Sequence, residues 1–251
     1  MKKFFGFIFF ISQITVAAET MVSVPTGHYV PFFFSKDSKK IIKPVQIDSF
    51  LIDRYPVTKA KFLAFVRENP KWRKSLVTRL FADAHYLEDW NGDLSFSQGK
   101  NTPAINVSWF AATAFCESYN KELPTTDQWE YAAVDNERES SETKKRILAW
   151  YEKPNSKKLS SVGNTPRNRF GIYDLYGLVW EWTLDFNSAM IGDDSRDGGS
   201  SDGNLFCGNG SQGASDSTDY ASFMRYSFRS SLKANYAVRN LGFRCAKGKA
   251  R

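Results

Sequence analysis

Apolar and polar positions alternate between Met21 and Asp53, broken by turn signals at Pro25-Thr26-Gly27 and Asp37-Ser38, with Val45, Ile47, Phe50 and Ile52 partly on a period of two. That period sends successive side chains to opposite faces, and it predicts two or three short strands. The period then lengthens. Thr58 is an N-cap residue, and Ala60, Leu63 and Phe65-Val66 form an apolar stripe up to Asn69-Pro70, which predicts a first helix. Residues 71–104 are less regular, with Trp72, Phe81, Tyr86 and Trp90 as packing anchors. Ser108 caps a second predicted helix, Trp109 to about Lys121, with Phe110, Ala114 and Phe115 at helical spacing. Thr125-x-x-Gln128 has the form of a capping box and opens a third. A charged segment, Glu137 to Arg146, leads into Ile147-Leu148-Ala149-Trp150. From Leu159 onward Gly, Asn, Asp and Ser dominate with aromatics between them, which predicts short strands and long ordered loops. One α+β domain is the architecture this order of elements implies.

The first residues follow a different logic. Lys2 and Lys3 precede the apolar run Phe4 to Ile11; Ser12-Gln13 breaks it, and Val16-Ala17-Ala18 places small residues where a signal peptidase needs them. The expectation is a signal peptide over residues 1–18, cleaved between Ala18 and Glu19, and a periplasmic mature domain over residues 19–251. No cysteine follows that site, so a lipoprotein anchor is not expected, and no internal run reaches the roughly 18 apolar residues that a bilayer span requires.

Composition removes further classes. With 42% hydrophobic and 24% charged residues, the chain has enough apolar surface to offset its entropy, so disorder is not its dominant state. The formal charge of +7 is spread out: Lys36, Lys39, Lys40 and Lys43 sit in one loop, and Lys71, Arg73, Lys74 and Arg79 in a second cluster. No recognisable nucleic-acid module of basic residues interleaved with stacking aromatics is present, and expected export argues against one, so both clusters read as solvated faces and no nucleic-acid partner is expected. Three cysteines, Cys116, Cys207 and Cys245, allow one disulfide and one leftover thiol in an oxidising compartment; composition leaves the pair open.

Six segments, in order, carry a resemblance. They are Val24-Pro25-Thr26-Gly27; Ile52-Asp53-Arg54-Tyr55-Pro56-Val57-Thr58; Val107-Ser108-Trp109-Phe110-Ala111-Ala112; Leu123 to Ala133; Phe170 to Trp182, ending in Trp-Glu-Trp; and Asn240-Leu241-Gly242-Phe243-Arg244-Cys245. Together they resemble the formylglycine-generating enzyme (sulfatase-modifying factor) family. The resemblance implies that family's version of the C-type-lectin-like fold, with few helices, small sheets and many ordered loops. It also implies a structural disulfide between Cys116 and Cys245.

The authentic enzymes oxidise a substrate cysteine with oxygen, using two active-site cysteines that hold copper(I), an ion that soft thiolates select. The family's cysteines lie between a turn that aligns with Gly208-Asn209-Gly210-Ser211 and a pair that aligns with Arg229-Ser230. Counting forward places them at Ala214 and Asp219, and counting back at Asp216 and Ala221; neither finds sulfur. Cys207, just upstream, is the one candidate catalytic residue. It is open to three readings: a copper ligand assisted by Met224, His28 or His85, an inert thiol, or an intermolecular disulfide. The family's calcium site keeps its carboxylate at Glu181 but has Leu178 where a hard oxygen ligand is needed, so calcium and copper are both weakly supported cofactors. Asp193-x-Ser195-x-Asp197-Gly198 imitates an EF-hand start but has Asn204 at the bidentate position and reads as a solvated acidic loop. Asp174, Glu181 and Asp185 read as loop-bracing carboxylates rather than an acid–base set.

A finer resemblance lies in Pro70 to Ser75, Leu80 to Asp83, Tyr86 to Leu94 and Ser215 to Tyr226, which are similar to exported members found alongside copper nitrite reductase. The expected function is an exported accessory protein that binds an exported protein or peptide client, such as a copper enzyme. Tyr220, Phe223, Tyr226 and Arg229 are the expected lining of its groove. The alternatives are an atypical oxidase acting on a client cysteine near Cys207, and a lectin-like binding module.

Overall fold

A computed structural model describes residues 21–30, 44–96, 99–134, 141–152, 158–187 and 217–248; the predicted signal segment and the turn at Asp37-Ser38 lie outside them. In chain order the strands are β1 (Met21–Val24), β2 (Gly27–Tyr29), β3 (Val45–Ile47), β4 (Phe50–Asp53), β5 (Trp180–Glu181), β6 (Leu241–Gly242) and β7 (Ala246–Gly248). Among the described residues the α-helices are α1 (Lys59–Glu68), α2 (Trp109–Ser118), α3 (Thr126–Ala133), α4 (Ser141–Tyr151) and α5 (Ser217–Ser230). This is an α+β fold of small sheets linked by long loops.

The alternating stretch forms antiparallel pairs. β1 and β7 flank β4, with Val24 opposite Phe50 and Ile52 opposite both Val22 and Ala246. β2 pairs with β3, where His28 and Gln46 face solvent and Tyr29 turns inward. β5 and β6 make a two-residue parallel pair. A Cβ on Gly242 would sit 2.9 Å from the backbone carbonyl oxygen of Ala104, so this crossing requires the residue without a side chain.

The helix starts follow local chemistry. Thr58 accepts from the Lys61 amide and Ser108 from the Ala111 amide, while Thr125 and Gln128 complete a reciprocal capping box at 2.9 and 3.1 Å. α2 stops at Ser118 rather than near Lys121, because Asn120 takes a left-handed turn and the amides of Tyr119 and Lys121 fold back onto the Cys116 carbonyl.

Two helices lie where no helix was predicted. α4 occupies part of the charged segment, and α5 stands where short strands and loops were predicted. Among the described residues of α5 the buried positions are Ala221, Arg225 and Arg229, four residues apart. Its inward stripe is therefore written partly in arginines, which a hydrophobic pattern reads as a solvent face.

The largest core packs Phe62, Phe65, Phe115 and Phe243 edge-on and stacked, with Trp90 and Trp182 beside them. The Cys116–Cys245 disulfide lies inside it, both residues fully buried, and ties α2 to the chain entering β7 across a separation of 129 residues. A second core joins the strands to Trp129, Tyr131, Ile172 and Leu175.

Candidate functional site

The capping box starts α3 so that Glu130 falls on its buried side, 3% exposed. Two guanidinium groups from α5 close on it. Arg229 Nη1 donates to Oε1 at 2.6 Å, and Arg225 donates to Oε2 through Nη2 at 2.9 Å and through Nε at 3.3 Å. Arg229 also lies 4.8 Å over the Trp129 ring, and Arg225 lies 5.2 Å over Tyr176. Burial alone raises the Glu130 carboxyl, but the two arginines outweigh it and hold the group below the usual carboxylate range.

Beside this cluster the Tyr29 hydroxyl donates to Asp127 at 2.5 Å and shares a hydrogen bond with Tyr226. Burial, and then neighbouring Tyr226 and Asp127, push the Tyr29 phenol up; burial, and then the Glu130 charge, do the same to Tyr226. Both phenols are thereby held in the neutral form, and Glu130 in the charged form, across the neutral range. The arrangement pins α5 to α3.

On another side of α5 lies a half-buried aromatic panel. Trp180 of β5 stacks on Tyr151 at 5.1 Å and 15°, touches Trp150 at 5.3 Å, and meets Phe228 at 4.5 Å. The Tyr151 hydroxyl donates to the carbonyl of buried Ala221 at 3.3 Å, one of the positions where the resemblance would have placed a cysteine. Such rings offer apolar faces with wet edges, suited to an extended peptide.

The structure redistributes the expected groove residues. Arg229 is corrected from groove lining to the buried partner of Glu130, since its guanidinium is spent on that carboxylate and on Trp129. Tyr226 is half-buried against Tyr29. Tyr220 and Phe223 belong to α5, but their side chains, like Cys207 and the loop from Asp193 to Asn204, lie outside what is described. Sequence reasoning missed Trp150, Tyr151 and Phe228 as a set with Trp180. A helical reading of the run ending in Trp150 was the signal that would have found the first two.

Glu181 does not fit a calcium ligand, which corrects its candidacy. Arg244 donates to both carboxylate oxygens at 2.7 Å, the Trp129 indole donates to Oε2 at 2.7 Å, and both partners of the ion pair are sealed from solvent. Leu178 is buried with Ile105 and Val179, and none of these three side chains carries an oxygen to offer a hard cation. A two-thiolate copper site does not fit either. Of three cysteines, Cys116 and Cys245 are joined to each other, leaving only Cys207. His28 is exposed on β2, His85 is exposed and pairs with Glu88 at 3.3 Å, and Met224 is half-buried on α5. Among the described residues, no group of three His, Cys, Asp or Glu side chains converges to hold a metal ion.

Residues 10–249 match the sulfatase-modifying factor enzyme 1-like domain. The chain belongs to that family. It is 27% identical over 286 aligned positions to the inactive C-alpha-formylglycine-generating enzyme 2 of Bos taurus, covering 92% of this chain and 89% of that one. It is 26% identical over 221 positions to the formylglycine-generating enzyme of Thermomonospora curvata, covering 68% and 73%. PvdO from Pseudomonas aeruginosa shares its fold with a TM-score of 0.54 at 18% identity, over 91% of this chain and 94% of that one. In this member of the sulfatase-modifying factor family, the shared motifs carry the frame. Asp53 receives Lys121 and the Cys245 amide, Asp174 braces Gly163 and Thr165, and Glu181 anchors Arg244.

Proposed function

We propose that this protein is an exported, non-catalytic member of the sulfatase-modifying factor family that binds a segment of a periplasmic client protein across the Trp150–Tyr151–Trp180–Phe228 panel. One observation carries the reading: the disulfide takes two of the three sulfurs, so one chain cannot assemble a two-thiolate copper(I) site. Export is supported by the basic and apolar opening of the chain and by a disulfide of a kind that persists in oxidising compartments. The alignment along most of the chain with a relative named inactive agrees with a retained frame without the chemistry. A copper enzyme is the client that the sequence resemblance favours.

The test supplies residues 19–251 with copper(I), oxygen and a cysteine-containing peptide. The expected outcome is background oxygen uptake with the peptide cysteine intact by mass spectrometry. Conversion of that cysteine to an aldehyde, lost in Cys207→Ser, overturns the reading in favour of an oxidase.

A further inference from the structure

A cleft of about 410 Å3 opens between α4 and the turn before Ile172, with Trp150 and Tyr176 among its walls. Arg146, Arg167 and Arg169 line it, all three exposed, and no described lining residue carries a carboxylate. None of the three arginines is in an ion pair among the described residues. Their scaffolding is nevertheless fixed. Asn168, between two of them, donates to the Ala132 carbonyl at 2.7 Å and accepts from the amides of Phe170 and Ile172, so the turn is locked to α3. Arg169 stacks 4.3 Å over the Phe170 ring, and Arg146 donates to the Thr143 hydroxyl at 2.8 Å.

Three like charges around one opening repel each other until an anion enters, and a single carboxylate answers only part of that charge. Arginine forks bind carboxylates in pairs of parallel hydrogen bonds, and a ligand with several carboxylates satisfies more than one fork. Trp150 belongs both to this cleft and to the aromatic panel, so the two surfaces are continuous.

We infer that the cleft binds an acidic segment of the client protein, with carboxylates at Arg146, Arg167 and Arg169 and an adjoining apolar or aromatic residue on the Trp150 side. The inference rests on the client-binding reading above and adds the chemistry of the partner.

The probe is a fluorescein-labelled Trp-Glu-Glu-Gly peptide followed by fluorescence anisotropy, with a Trp-Gln-Gln-Gly peptide as its neutral counterpart. The Arg146→Gln/Arg167→Gln double variant is expected to weaken binding of the acidic peptide by at least about tenfold, and the neutral peptide to bind the parent chain equally weakly. The Lys233→Gln/Lys247→Gln variant removes the same charge from exposed positions elsewhere and is expected to change binding by less than about twofold. Unchanged thermal midpoints establish that both variants fold. Equal losses in the two double variants, equal binding of the two peptides, or displacement of the peptide by an equal concentration of inorganic phosphate overturns the inference. Absent peptide binding with background oxygen uptake sinks this inference alone, whereas oxidation of a cysteine peptide sinks the non-catalytic reading.

Discussion

Glu130→Gln is expected to lower the unfolding free energy by about 3–5 kcal/mol, because it removes the carboxylate charge that the buried guanidinium groups of Arg225 and Arg229 share. The three side chains are 4%, 3% and 5% exposed, so water cannot replace the lost carboxylate. Urea unfolding measures the loss. Removing the exposed Glu88 partner of His85 supplies the control, with an expected change of less than about 1 kcal/mol. Replacing the triad together by Glu130→Leu, Arg225→Met and Arg229→Met is expected to recover most of the stability, as happens when a buried ionic cluster is exchanged for apolar packing.

Acid follows the same logic. The folded-state pKa of Glu130 lies below the unfolded one, so its stabilisation is fully present above the ordinary carboxylate range and is lost as pH falls through the depressed value. The gap between the parent chain and Glu130→Gln is therefore expected to narrow on acidification. A gap that stays constant contradicts the ion cluster.

Cys116→Ala/Cys245→Ala is the second large effect. Opening a bridge that spans 129 residues is expected to cost on the order of 4–5 kcal/mol through the released entropy of the unfolded chain. The sulfurs sit among Phe62, Phe115 and Phe243, and losing them also leaves a small void in a close-packed core. Unfolding the parent chain with and without reductant is expected to reproduce the loss without mutation. Indifference to both treatments contradicts a structural bridge.

The parts of the fold legible in the sequence were those decided by neighbouring residues. Thr58, Ser108 and Thr125 each announce a helix because their oxygens are satisfied within three positions. α5 was illegible for the opposite reason. Arg225 and Arg229 are inward residues only because Glu130 waits 95 and 99 residues earlier, and no local window contains that pairing. The partner that braces Glu181 was illegible for a similar cause, since Arg244, which neutralises it, is 63 residues further on. The aromatic panel draws its members from α4, β5 and α5, and only the folded chain brings them together. The missing second thiolate was legible by counting, and the observed Cys116–Cys245 pairing is what gives that count its meaning.

The most direct measurement is a copper(I) titration of residues 19–251 against a competing chelator, with Cys207→Ser alongside. The parent chain is expected to bind copper(I) no more tightly than the variant, with two of its three cysteines unavailable to alkylation before reduction. Tight one-to-one binding that vanishes in Cys207→Ser contradicts the proposal, because it means this frame assembles a soft-metal centre around a single thiol.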